Sequence, residues 1–297
     1  MRNTYLTLLV GVAVLVALGA VLAQSTAAQA STVGYWRFED SPGFTADSGD
    51  YGYALTAVSN PSPSALPETG RGSAIHNPIP QNAWTNAQAA DLDGNDMFTH
   101  PDEAPFSVGD FTIEAYVHAD FDDYLRGIAG QATSASGQRA WMFAANPESS
   151  GDGLIRLHLS SSGNYENDYY APDGSFQAGK DYYVAASVQV DSGGAGDDGV
   201  ITFYWQNLTD GGALHSATVA HGKSSLRNST APLHIGAWYS NGTQRGWIGL
   251  IDEVRLSDEV LAPHRLLANV PEPSGLAVAM GLAMAGLSAL GRRKRKR

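Results

Sequence analysis

Hydrophobic residues in the middle of this chain recur at every second position, and that periodicity excludes most folds. Phe111–His118 places Phe111, Ile113, Ala115 and Val117 on one face. Leu154–Leu159 sets Ile155, Leu157 and Leu159 against Arg156 and His158, which point outward as solvated residues. Val184, Ala186, Val188 and Val190 alternate with Ala185, Ser187 and Gln189, and Ile201–Trp205 follows. Successive side chains of a strand face opposite ways, so such runs each bury one face of a sheet. The Asp191–Gly199 stretch between the last two runs (DSGGAGDDG) supplies the positive-φ residues and the solvation of a hairpin connection. Two sheets covering each other make an all-β sandwich. Few windows keep helical spacing, and the best is Ser257–Leu267: Ser257 and Asp258 would cap a short helix carrying Val260, Leu261 and Leu266, with Pro263 opposing it.

The composition narrows the class. Hydrophobic residues make up 43% of the 297, enough for a core, and no cysteine is present, which removes disulfides, thiol catalysis and thiolate metal sites. Residues 31–270 hold eleven basic against twenty-nine acidic side chains, a balance of −18, so nucleic acid is excluded as a natural partner. The Pro-rich Asn60–Pro67 reads as a surface loop, because the thirty or so residues before it are too few for a core of their own.

Both ends carry targeting patterns. Arg2, the apolar run Leu6–Leu22 and the small-residue exit Ala28-Gln-Ala30 match a signal peptide over residues 1–30, cleaved by signal peptidase after Ala30 or, as second choice, Ala23; an uncleaved anchor is the alternative. At the other end, Pro271, Glu272 and Pro273 precede the uncharged stretch Gly275–Gly291 and a basic hexad at 292–297. That order holds the tail in the inner membrane with the acidic body outside. Segment 269–297 resembles the PEP-CTERM sorting signal of Gram-negative bacteria. The resemblance implies recognition by an exosortase near Pro-Glu-Pro and a protein delivered to the cell surface or extracellular matrix, with an ordinary tail-anchored span as the alternative.

Within 31–268, Gly34–Asp40 (GYWRFED), Ala46–Gly49, Asp91–Gly94, Phe111–Val117, Pro232–Ala237 and Gly246–Arg255 (GWIGLIDEVR) occur in the order seen in laminin G-like, concanavalin A-like domains, which the chain resembles over nearly this whole span. The resemblance implies a two-sheet antiparallel jelly-roll sandwich with its first and last strands side by side, flanked here by an N-terminal signal helix and a C-terminal hydrophobic helix. One fold hosts many activities, so function must be argued from residues.

Catalytic patterns are incomplete. Glycosidases of this superfold carry Glu-x-Asp-x-x-Glu or Glu-x-Asp-x-Glu; here Glu166-Asn-Asp-Tyr-Tyr-Ala171 ends in Ala171. Hydrolysis by acids gathered from different strands stays open. The histidines form no H-E-x-x-H frame, and Ala217–Ser224 resembles a phosphate-binding loop without its first glycine. Asp91–Asp96 reads as a strand followed by a turn. A structural calcium ion between Glu39 and Asp252 would neutralise two acids and pin the chain ends together, as the resemblance to jelly rolls with such sites implies; the alternative is that both acids are simply solvated or paired with Arg37 and Arg255. For ligand binding the candidates are Tyr165, Tyr169 and Tyr170, together with Trp238, Asn241 and Arg245, since sugars stack on flat rings and bond to neighbouring polar groups. Burial of Trp238 and the Tyr pair in the sandwich is the alternative. The expectation is a non-catalytic exported protein binding extracellular polysaccharide or a surface protein, with a polysaccharide-cleaving enzyme or a purely structural matrix component as rivals.

Overall fold

The computed structural model describes residues 32–40, 45–59, 74–107, 109–121, 125–146, 153–193, 196–242 and 245–269. The signal segment, the Pro-rich stretch at 60–67 and the Pro271-Glu272-Pro273 tail lie outside these residues. Among the described residues no helix is long and apolar enough to cross a membrane.

Among the described residues fourteen strands form two antiparallel sheets, a jelly-roll sandwich. The first sheet runs β1 (Thr32–Trp36), β14 (Ile248–Ser257), β5 (Phe111–Ala119), β10 (Asp181–Gln189), β11 (Gly199–Asn207) and β12 (His215–His221), with β3 (Ala90–Asp93) also pairing β14. The second runs β2 (Thr56–Ser59), β4 (Asp96–His100), β13 (Leu233–Ile235), β6 (Arg126–Ala132), β7 (Arg139–Asn146), β8 (Leu154–Leu159) and β9 (Asn167–Tyr170). The alternation predicts the core. Phe111, Ile113 and Ala115 stand opposite Val188, Ala186 and Val184, and all six join Ile155, Leu157 and Leu159 from the facing sheet in one buried cluster. Residues 190–198 connect β10 to β11, and Asp91–Asp93 end β3 before Gly94-Asn95 lead into β4 at Asp96. First and last strands are neighbours: Tyr35 pairs Arg255 and Trp36 pairs Val254. Trp36 and Trp247 lie in the same core.

The expected helix after Ser257 does not form. β14 continues through Ser257, and only a 3-10 turn appears, at Pro263–Arg265. The segment gains more by lying extended across the outer face of the first sheet. There Leu261, Leu266 and Leu267 cover Tyr35, Tyr116 and Tyr183, each leucine worth roughly 1.5–3 kcal/mol of burial. Buried Glu114 anchors this cover. It accepts from Arg255 Nε at 2.7 Å, Tyr183 Oη at 2.7 Å and Leu267 N at 2.8 Å.

Candidate functional site

The outer face of the second sheet carries what the strand alternation leaves over. Ala144, Arg156 and Tyr170 stand in register across β7, β8 and β9, and Met142, His158 and Asp168 form the next row. Arg156 and Asp168 are therefore diagonal neighbours on one face, within reach of long side chains. Arg156 Nη2 donates to Asp168 Oδ2, and His158 Nδ1 lies 3.0 Å from Asp168 Oδ1. Tyr165, on the loop before β9, folds back over this row. Its ring stacks on His158 at 4.7 Å and its hydroxyl donates to Asp168 Oδ2 at 2.6 Å.

Burial alone would raise the Asp168 carboxyl, but hydrogen bonds from His158, Arg156 and Tyr165 outweigh it and hold the group well below the usual carboxylate range. Burial works against the Arg156 charge as well, and Asp168 more than restores it. The pair is a permanent ion pair with little exposure on either side.

Trp238 ties the guanidinium groups together. Arg156 Cζ lies 5.0 Å from its ring centre and Arg245 Cζ 5.5 Å, with Tyr170 another 5.6 Å from Arg156; both arginines sit at cation–π distance. Gly127 in β6 makes this approach possible: a Cβ there would stand 1.9 Å from the Ala237 carbonyl oxygen. The Gly127 N–H also donates to the Arg245 carbonyl at 3.0 Å. Beside these groups opens a cavity of about 350 Å³ bordered by Leu125, Asn146, Leu154, Arg156, Tyr170 and Arg245.

Four of the six expected ligand residues thus converge: Tyr165, Tyr170, Trp238 and Arg245. The two tyrosines offer ring surface, at 48% and 45% exposure, whereas Trp238 is 2% exposed. Trp238 serves as the bed of two guanidinium groups, so its ring is not a bare platform. Tyr169 goes the other way, because adjacent strand residues face opposite sides. It packs against the core and His221, whose ring lies 5.7 Å away, and borders a separate cavity with Asn167 and Lys223. Asn241 is occupied by Ser134, accepting from its N–H at 3.0 Å and donating to its Oγ at 2.8 Å. His158, expected in solvent, is fully buried beneath Tyr165. Arg156, Asp168 and Asn146 join the site without being among the ligand residues expected from the sequence. The signal for the first two was present in the alternation Arg156-x-His158 against Asp168-x-Tyr170, but it becomes visible only once β8 and β9 are known to pair.

The expected metal ligands lie on the opposite sheet. A β-bulge in the β14–β5 pairing, with Glu253 at φ 51°, turns consecutive Asp252 and Glu253 to the outer face while Ile251 and Val254 stay in the core. Asp252 Oδ2 accepts from Asn86 Nδ2 at 2.7 Å and Ile75 N at 3.3 Å; its Oδ1 and the Asn86 Oδ1 are buried with no partner. Burial first, and the charge of Glu253 second, push the Asp252 carboxyl well above its ordinary range. Glu39 accepts from the N–H groups of Ala87 and Gln88 at 2.7 and 2.8 Å. Neither acid takes the alternative arginine partners, since Arg37 pairs with Glu253 at 3.1 Å and Arg255 with Glu114. Among the described residues no cluster of three or more His, Asp or Glu is placed to hold a metal, so any cation there would draw on amide oxygens too.

Residues 92–266 match the family described as the concanavalin A-like lectin/glucanases superfamily. The chain belongs to this superfamily. Domain 4 of AbnA, a GH43 extracellular arabinanase from Geobacillus stearothermophilus, in complex with arabinotriose, superposes with a TM-score of 0.52 at 18% identity, over 82% of this chain and 100% of that one. A GH54 α-L-arabinofuranosidase soaked with a cyclic sulfate inhibitor gives 0.49 at 11% identity, over 73% and 47%. A native heptameric SAP-like pentraxin from Limulus polyphemus gives 0.40 at 16% identity, over 60% and 75%. No curated protein matches the sequence. The arabinanase domain shares the superfamily fold with this chain, and the matched span from Leu92 to Leu266 includes β8, β9 and Trp238.

Proposed function

We propose that the chain is a non-catalytic carbohydrate-binding protein, exported to the cell surface or matrix, whose site is the cavity beside Arg156 and Tyr170. The observation that carries this reading is the composition of that cavity: an exposed tyrosine ring, two arginines, an asparagine and two leucines around about 350 Å³. Sugars present both apolar C–H faces and hydroxyls, and this set serves both. The superposed arabinanase domain, which is in complex with arabinotriose, supports the same ligand class.

A hydrolase reading meets a chemical obstacle at the Glu166–Asp168 string. Burial would raise Glu166, but bonds from Lys223, Ser162 and Ser161 hold it, like Asp168, far below the ordinary range. A glycosidase needs one carboxyl raised so that it can donate a proton. The test is a glycan array on the full chain in nonionic detergent. Wild type retains oligosaccharide, and Tyr170→Ala weakens binding about tenfold, the upper range for one stacked ring. Release of reducing sugar by the wild-type chain would overturn the non-catalytic reading.

Calcium belongs to the same proposal. The partnerless Oδ1 atoms of Asp252 and Asn86 are hard oxygen donors of the kind calcium takes, and Glu39 would complete the neutralisation. A bound cation would favour the ionised form of Asp252, which burial disfavours. Chelator should therefore lower the melting temperature, and by more at pH 8 than at pH 5. A melting temperature indifferent to chelator at both pH values removes calcium from the account.

A further inference from the structure

The cavity's charge is opposite to that of the protein around it. The chain carries −12 overall, yet among the described residues the cavity is bordered by two arginines and no carboxylate. The two cations are not equivalent. Arg156 is held by Asp168. Arg245 is exposed, lies over Trp238 at 5.5 Å and pairs with no carboxylate among the described residues. Its backbone adds a second observation. Arg245 has φ 54°, in the left-handed region where glycine or asparagine would be accommodated at lower cost. A bulky cation is thus kept at a conformation that disfavours it, at the edge of a cavity, in an acidic protein.

Resting on the reading of this cavity as a glycan site, we propose that its ligand is an anionic saccharide, carrying a carboxylate or sulfate group, and that Arg245 is the residue that pairs with that charge. Guanidinium offers parallel N–H donors that match a carboxylate or sulfate bidentately. The remaining lining divides the rest of the sugar. Tyr170 and the two leucines face its C–H surface, and Asn146 is the hydroxyl partner. The neutralised Arg156–Asp168 pair stiffens the floor without competing for the anion.

The test uses the full chain in nonionic detergent with three probes: oligogalacturonate, a sulfated galactan oligosaccharide and the matching unsulfated galactan oligosaccharide. Expected is binding of at least one anionic probe tenfold or more tighter than the neutral one at low salt, with the advantage shrinking as salt rises. Which anion wins separates uronate from sulfate. Arg245→Gln should abolish the advantage, bringing the affinity for the anionic probe down to that for the neutral one, while Arg245→Lys should retain part of it. Equal or tighter binding of the neutral probe overturns the anionic inference and leaves the glycan site standing. An anionic advantage untouched in Arg245→Gln overturns the assignment of the residue. Retention of none of the probes, nor of any oligosaccharide on the array, overturns the glycan reading and the inference with it.

Discussion

Asp168→Asn is expected to destabilise the domain by about 3 kcal/mol, the cost of leaving one partner of a buried ion pair without its counter-charge. For a domain of this size that is a fall of roughly 6–12 °C in melting temperature. The effect is large because Arg156 has no second carboxylate to pair with among its described neighbours: its Nε is already buried with no partner, the Tyr165 hydroxyl is its other side-chain acceptor, and the rings of Trp238, Tyr165 and Tyr170 stand around it. The same carboxylate also takes bonds from His158 and Tyr165, so neutralising it loosens the whole outer row. A double variant, Arg156→Met with Asp168→Asn, should recover part of the loss, because it removes the stranded cation along with its partner. The pair also has a pH signature. The folded carboxyl lies below its unfolded value, so the stability it contributes is present above about pH 4, the unfolded carboxylate value, and is lost as pH falls from there through the folded value. Thermal melts of the three proteins decide the matter, and an Asp168→Asn variant melting with wild type would show that Arg156 is solvated in the folded state.

Acid should destabilise the domain through His234 as well, by a comparable amount. This β13 residue is fully buried, and burial pushes its imidazole down to about 4, against about 6.5 for the unfolded chain. Between those values the unfolded chain takes up a proton that the folded one refuses. Stability is therefore complete above about pH 6.5 and declines as pH falls towards 4, by about 3 kcal/mol over the window. Glu253 pulls in the opposite sense. Burial raises its carboxyl to about 7, so its ionisation costs stability as pH rises through roughly 4.5 to 7. The wild-type profile sums the two, and a comparison of variants separates them. Urea denaturation of wild type and His234→Asn at pH 7.5 and 4.5 should show a smaller loss of stability on acidification in the variant, whatever its absolute stability. Parallel pH profiles would place a proton on His234 in the folded state, against its burial.

The sandwich was legible because burial of one face per strand writes itself into period-two spacing. Phe111, Ile113, Ala115 and Val117 could be assigned to the core from their alternation, and so could the partners in Val184–Val188. The same rule exposed its own limit at Tyr169 and Tyr170. Both are aromatic and adjacent, and composition treats them alike, yet the strand sends one into the core and the other to the cavity. Nor could spacing foresee Ser257–Leu267. Local caps favour a helix there, but the apolar cover offered by Tyr35, Tyr116 and Tyr183 rewards an extended path, and the tertiary gain exceeds a weak local propensity.

From the residue order alone follow the short alternating strands of an all-β sandwich and the acidic character of the body, because each depends on local pattern or on summed charge; the antiparallel jelly roll closed by its first and last strands is what the family resemblance implies, and long-range pairing realises it. The meeting of Arg156, Asp168, Tyr170, Trp238 and Arg245, which are scattered from β8 to the loop before β14, depends instead on which strands pair and in what register. A one-residue slip of β9 would carry Asp168 and Tyr170 to the opposite face, and a side chain at Gly127 would keep Ala237 and Trp238 away from β6. The site is thus a property of register and close approach, which long-range contacts set and local sequence does not encode.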